Sequence, residues 1–515
     1  MNIVLVTPPK EGKIDSDERV EPIGISYLAA YLRHYSYSVF LEDAILFNLP
    51  MEELSARVIS KKPDLIGISV IGPNQILPTI ALSKSLRNLG YSGHITIGGI
   101  GATFIYEELL KPDTGINSVV RGEGEYALHA LVQDIEKHLD WHSVNNVAYR
   151  DGTEIILNPM YPLIADLDTL PSMARDFMPY VVKQTENMPT IITSRGCGGN
   201  CIFCTTPNFY ALCKGRKTRT RDIHKVVSEI KFLAENYNIR KFRIFDESFI
   251  QPGKKGQERI LTFAQCLKEL PYNFEFFICS RVLGINEKIL KALKKAGLVI
   301  ICVGIESGCQ KQLDYFSKGV TVRQNRKVIE ILKKVQIPWT RLGCILFDPY
   351  CELWMIKESL ELFKESGCFS PTRAANILQI LPGTPVVQSL LNEHSLKGTF
   401  NNYFYEFKDV KVAVLWKIVS SLFAEHREIE SFLSSYKIKW RNRKDLFAAM
   451  VDLERKISRE TIEHMEQWIT FIERNNPLPD DPAVDKLIFQ DRKKIHSEFI
   501  NLINTIAATK VYSKL

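Results

Sequence analysis

The run Ser194-Arg195-Gly196-Cys197-Gly198-Gly199-Asn200-Cys201-Ile202-Phe203-Cys204 sets three cysteines at a CxxxCxxC spacing. Gly196, Gly198, Gly199 and Asn200 around them describe an exposed loop and argue against three thiols packed in a strand. Three thiolates this close can ligate three irons of a cubane and leave the fourth iron without a protein ligand. A structural zinc site is the competing reading, but it asks for a fourth ligand. Cys213 is the nearest candidate, and neither His nor Cys follows at the usual finger spacing.

Outward from this loop, the preceding apolar run Thr190 to Ser194 reads as a strand. It opens a series continued near Arg240 to Asp246, Phe274 to Cys279, Leu298 to Gly304, Thr340 to Phe347 and Arg373 to Ile380, with helical stretches between. Six strand-helix units are too few for a closed eight-stranded barrel and suit a partial (β/α)6 barrel, whose ligands gather at the C-terminal strand ends. Upstream, strands Ile3 to Thr7, Ser38 to Glu42, Leu65 to Val70, His94 to Gly98 and Ser118 to Arg121 alternate with amphipathic helices. That pattern predicts a doubly wound, Rossmann-like parallel sheet. An Asp151-Gly152 hairpin signal and a proline-bearing connection separate the two series. After Pro382-Gly383-Thr384-Pro385 the sequence turns helical, with Trp416, Trp440 and Trp468 among charged residues, a pattern that packs a bundle. The expected α/β architecture is therefore a sheet domain over 1–140, a linker with hairpin over 141–185, a partial barrel over 186–390 and a helical region over 391–515.

A chain of 515 residues calls for several domains. Its formal charge of +7 is diluted over that length and does not by itself argue for nucleic acid. The basic run Lys214, Arg216, Lys217, Arg219, Arg221 and Lys225 lacks interleaved aromatics, so it too reads as structural. No apolar run of about 18 residues spans a membrane and the N-terminus does not read as a signal peptide, so a cytoplasmic protein is expected. None of the 11 cysteines precedes Cys197, and a disulfide framework is not expected.

At the cysteine loop the chain resembles the radical S-adenosylmethionine (SAM) superfamily. That resemblance implies a 4Fe-4S cluster on Cys197, Cys201 and Cys204, with Phe203 against the adenine of SAM and the open iron holding its amino and carboxylate groups. It further implies reductive cleavage of SAM to a 5'-deoxyadenosyl radical that abstracts hydrogen from a small-molecule substrate, with an electron donor such as flavodoxin or ferredoxin. Asp246 and Glu247 follow the second barrel strand, where the family places an acidic group near the SAM amine; a helix cap by Asp246 or Ser248 is the alternative. Arg281 follows the third strand as a partner for the SAM carboxylate or, equally, for a structural ion pair. Glu306 and Ser307, in Gly304-Ile305-Glu306-Ser307-Gly308, resemble the ribose-contacting segment.

The first domain resembles the cobalamin-binding domain of the subfamily that fuses the two folds. Pro9, Asp43, Ser69, Gly98, Gly99, Gly122, Glu123 and Gly124 lie at its strand ends and are the implied cobalamin contacts; glycines there let backbone approach a flat macrocycle. The cobalt-ligating DxHxxG motif would begin at Asp43, but the residues are Asp43-Ala44-Ile45-Leu46-Phe47-Asn48. The implied cobalamin is then base-off, without a His ligand; a domain that no longer binds corrin is the alternative. The absence of N-terminal cysteines separates the chain from the methylthiolating relatives, which carry a second cluster there. The resemblance implies methylation of an unactivated carbon or phosphorus centre with two SAM per turnover. Cyclisation, ring contraction or oxidation without methyl transfer is the alternative enzyme class, and a metal-stabilised binding module the non-enzyme one.

Overall fold

The apolar runs β1 (Asn2–Thr7), β3 (Leu65–Ser69) and β4 (His94–Gly98) are buried on both faces, as parallel strands covered by helices must be. In the computed structural model, which describes residues 1–12, 20–183, 188–423 and 442–506 with positions 426, 433, 436, 437 and 439, they form the centre of a seven-stranded sheet. The order is β2-β1-β3-β4-β5-β6-β7, with β2 at Ser38–Asp43, β5 at Ser118–Val120, β6 at Val147–Asp151 and β7 at Glu154–Leu157. β1 to β5 run parallel. Helices α1 (Ile23–His34), α2 (Met51–Ser60), α3 (Ile76–Asn88) and α4 (Glu125–Glu136) connect them. The order 2-1-3-4-5 reverses between β1 and β3, and such sheets bind ligands at the C-terminal strand ends beside that switch point.

The hairpin β6-β7 adds two antiparallel strands to the sheet edge through β5, turning at Gly152 with φ +57°. Beyond it, the largely covered Arg175 side chain donates to Glu21 (2.9 Å) and Glu229 (2.7 Å), so the proline-bearing connection is clamped between segments far apart in sequence. Next come β8 (Thr190–Ile191), β9 (Ser194–Arg195), α5 (Thr205–Ala211), β10 (Arg219–Thr220), α6 (Ile223–Asn236) and β11 (Lys241–Ile244). β8 pairs parallel with β11, and β9 pairs antiparallel with β10. The strand expected over 190–194 is thus two short pieces. Asp246 takes the N–H groups of Thr193 and Ser194 that a continuous ladder would have used.

These elements, with residues 380–404, make one compact unit spanning 1–247; residues 248–379 and 405–515 make a second. The second unit carries three parallel strands, β12 (Glu275–Arg281), β13 (Leu298–Glu306) and β14 (Trp339–Cys344). Helices α7 (Gly253–Glu269), α8 (Glu287–Lys295), α9 (Val322–Val335) and α10 (Leu353–Ser366) alternate with them. Phe276, Ile278, Ile301, Val303, Ile305 and Leu342 point to one fully buried face. The alternate residues Cys279, Arg281, Cys302, Glu306 and Arg341 stand on the other, which is only partly covered.

The sixth expected strand, Arg373 to Ile380, contracts to one parallel bridge between Phe347 and Ile377. Ser370 caps a helical turn over Pro371–Ala374 by accepting from the Arg373 N–H, which withdraws the first residues from strand geometry. The helical region follows as α11 (Val410–Phe423), α12 (Lys444–Asn475) and α13 (Pro482–Ile506). Trp416 packs on Phe347 and Trp468 on Phe423, the packing role read from sequence; Trp440 lies outside the described residues. Among the described residues no helix is long and apolar enough to cross a membrane.

Candidate active site

The cysteine loop leaves β9 through Gly196, whose φ of +85° puts it in the left-handed region. A Cβ at that position would lie 1.9 Å from the Lys217 carbonyl oxygen on the facing strand connection. The Gly196 N–H donates to Glu247, whose other carboxylate oxygen accepts from Tyr210. Cys201 is buried, Cys197 and Cys204 are partly exposed, and all three are free of disulfides. The Cys204 N–H donates to the Cys201 carbonyl, and Cys204 is the last residue before α5. Phe203 is half-exposed, and a Cβ at Gly198 would meet nothing.

Among the described residues no three Cys, His, Asp or Glu side chains converge as a single metal ion requires. Three thiols on one short loop are the donor set that a cubane with one open corner would take. Cys213 packs with Leu163 and Tyr210 in a small apolar cluster. Gly196→Ala must displace the loop or its partner, at a cost above about 1 kcal/mol. We expect it to bind less iron than wild type under identical reconstitution; unchanged iron content would show that the Gly196 turn does not set the loop.

Asp246 is buried and accepts from both N–H groups and both hydroxyls of Thr193 and Ser194, so its carboxylate staples the strand before the loop. Glu247 is the acidic residue with surface exposed. Desolvation of its carboxyl where it packs against the Gly196 N–H and Tyr210 raises its pKa, although the side chain keeps exposed surface, and neighbouring Asp246 adds to that.

The segment Arg121 to Glu125, after β5, reaches the paired strands β9 and β10 on either side of the loop. Glu123 pairs with Arg195 (3.0 Å) and Arg219 (2.7 Å) and accepts from the Ile164 N–H; Glu125 pairs with Arg195 (2.6 Å). Burial works to raise the Glu123 pKa, but the two guanidiniums outweigh it and hold the carboxyl below its ordinary range. Gly122, at φ +76°, has no room for a side chain, since Met160, Asn146 and Cys213 stand against it. From the far end of the unit, Gly383 packs on the Phe104 ring, its carbonyl accepts from Asn208 (2.6 Å), and the Val386 N–H donates to Ile202 in the loop. In the sequence Gly383 marks only a boundary; its place between Pro382 and Pro385 is the signal that it carries more.

At the C-terminal ends of β1, β3 and β4, Pro9, Ser69, Gly98 and Gly99 are partly exposed, and Ile71 is 61% exposed. Gly99 (φ +101°) packs its Cα on the Val70 carbonyl, which brings the turn after β4 flat against the end of β3. This edge is apolar and backbone-lined, and it fits a broad macrocycle held by packing.

Asp43 instead is buried at the end of β2, where it accepts from the Leu46 N–H (2.6 Å). Burial raises its pKa to about 6, opposed by the backbone bonds. A carboxyl with a higher folded than unfolded pKa lends stability at low pH and loses it as pH rises through the folded value. Between about pH 4 and 6 wild type should lose roughly 3 kcal/mol from this group, and Asp43→Asn should flatten that slope in a urea series. Parallel curves for the two proteins would refute the burial account.

In the second unit, Glu306 ends β13 at φ +64°, a conformation that costs a non-glycine residue about 1 kcal/mol or more and that collects at functional sites. Its carboxylate lies over Gly304 and Gly343 and pairs with Lys318 (2.7 Å). Arg281 stands opposite Gly304 in register, donates to the Lys318 carbonyl, and leaves its buried Nε without a partner. Arg281 and Glu306 therefore share one open face. Ser307 turns away: its hydroxyl meets Ser359 (3.0 Å) and accepts from the Cys309 N–H.

The B12 binding domain model matches residues 13–132 and the Radical SAM superfamily model residues 191–360. An uncharacterized methyltransferase of Pyrococcus horikoshii is 28% identical over 65% of this chain and 72% of its own length. The anaerobic magnesium-protoporphyrin IX monomethyl ester cyclase of Rubrivivax gelatinosus is 30% identical over 61% of this chain, and the match spans 56% of that protein. Among solved structures, the cobalamin-dependent S-adenosylmethionine radical enzyme OxsB with aqua-cobalamin and S-adenosylmethionine bound shares the fold. It gives a TM-score of 0.74 at 19% identity, covering 100% of this chain and 81% of that one.

Proposed function

We propose, from the premise that this chain belongs to the radical SAM enzymes carrying a cobalamin-binding domain, that it methylates an unactivated carbon or phosphorus centre of a small molecule. The observation that carries the reading is the clamp of Glu123 and Glu125 on Arg195 and Arg219. It holds the cluster loop against the strand-end edge of the first sheet, where a methyl carrier and a SAM-cleaving centre would have to meet. When bound, the cluster supplies the electron for SAM cleavage and the corrin the methyl carrier.

The chain's own residues hold and orient. Cys197, Cys201 and Cys204 ligate, Glu247 fixes the loop backbone at Gly196, and Phe203 offers a ring to the adenine. The unpartnered Nε of Arg281 suits the SAM carboxylate, and Glu306 suits ribose hydroxyls. Pro9, Ser69, Gly98 and Gly99 would border the corrin, and with no imidazole at Asp43 to Asn48 its cobalt would lack a His ligand. Asp246, Asp43 and Glu123 serve the framework. A flavodoxin- or ferredoxin-type donor would supply the electron.

The match to the cyclase keeps a second reading open, cyclisation without methyl transfer. Methyl-labelled SAM separates the two. The methyltransferase reading predicts both S-adenosylhomocysteine and 5'-deoxyadenosine, with label in the product. Deoxyadenosine without homocysteine or labelled product would overturn it.

A further inference from the structure

The partly covered face of β12, β13 and β14 carries chemistry that the reading above does not use. Cys279 on β12 and Cys302 on β13 are direct register partners, and Arg341 on β14 is the next residue in the same row. In-register neighbours sit about 4.8 Å apart at Cα, inside the range a disulfide spans. The two thiols are hydrogen-bonded to one another, and both are partly exposed.

The surroundings favour a thiolate at one of them. The bond from Cys279, and then the Arg373 and Arg341 guanidiniums, bring the Cys302 pKa down to about 7 against burial and the Glu306 carboxylate. Elsewhere in this unit burial pushes Cys309, Cys344, Cys351 and Cys368 the other way. A low-pKa thiolate beside a second accessible thiol is the arrangement of an exchanging pair.

We propose that Cys279 and Cys302 form a dithiol site that exchanges with low-molecular-weight disulfides. The Cys302 thiolate attacks one sulfur of the incoming disulfide, forming a mixed disulfide and expelling one thiolate. Cys279 gives its proton to that thiolate and, now itself a thiolate, attacks the Cys302 sulfur of the mixed disulfide, closing Cys279–Cys302 and expelling the second small thiolate, which takes its proton from solvent. Two electrons pass from the protein to the small disulfide, which leaves as two thiols. The bridge joins β12 to β13 two residues before Arg281 and four before Glu306, so its state is transmitted to the face those residues share.

The test uses the full chain under anaerobic conditions in glutathione buffers of increasing oxidised fraction, quenched with N-ethylmaleimide and mapped by mass spectrometry. The expected result is a Cys279–Cys302 cross-linked peptide appearing as both sites lose alkylation together. Under reducing conditions Cys302 should alkylate faster than Cys279. Cys279→Ala should slow Cys302 alkylation at pH 7 several-fold and stop oxidation at the glutathione mixed disulfide, with Cys279→Ser giving the same trapped species should the alanine variant not fold. Full alkylation of both sites at every glutathione ratio, or no mixed disulfide in either variant, overturns the proposal.

Discussion

Cys201→Ala is expected to hold iron and sulfide at background and to abolish SAM cleavage. Cys201 is the buried member of the triad and its carbonyl receives the Cys204 N–H, so it joins the two halves of the loop. Two remaining thiolates cannot keep a cubane that already lacks a fourth protein ligand, and the cofactor carries the hard chemistry. The loss should therefore cover most of an enzymatic acceleration, which is about a millionfold or more in general. Cys213→Ala is the paired control. Its thiol packs with Leu163 and Tyr210, so the variant should keep its iron, whereas a four-ligand zinc site that recruited Cys213 would lose metal in both. Iron measured in the two variants side by side distinguishes these accounts.

The second large effect is expected at Glu123. Its carboxylate is shared by the buried Arg219 guanidinium and the largely covered one of Arg195, and removing one partner of a buried ion pair leaves charge uncompensated, at about 3–5 kcal/mol. Glu123→Ala should lower the urea midpoint and also the iron retained after gel filtration, because Arg195 and Arg219 belong to the paired strands that frame the loop. Glu125→Gln leaves Arg195 its bond to Glu123 and should cost less on both counts. Normal iron retention in a destabilised Glu123→Ala would show that the clamp supports the fold without positioning the cluster.

The Glu123 case shows where sequence reading reaches and where it stops. Periodicity located β1 to β5 within a residue or two, and most plainly β1, β3 and β4, because strands buried on both faces leave an unbroken apolar signature. The cysteine spacing located the loop, because three thiols on one local segment carry their spacing in their numbering. Glu123 and Asp43 were legible as strand-end residues, but a guanidinium 72 residues away in sequence claims the first and a local N–H the second. A strand-end carboxylate looks the same in sequence whether it faces a ligand, a cap or an arginine. The same limit applies to Asp246 and Glu247: adjacent residues, one consumed by Thr193 and Ser194, the other left at the open side of the loop. The sixth strand failed for a related reason, since the Ser370-Pro371 cap was a helix signal competing with an apolar run.

The central claim, a cobalamin-dependent radical SAM enzyme, is tested most directly by metal, sulfide and corrin analysis of the anaerobically reconstituted chain with its absorption spectrum. The account predicts about four irons and four sulfides per chain, bound together with corrin. Zinc without sulfide, or a full iron-sulfur complement on protein that retains no corrin when it is supplied, would contradict it.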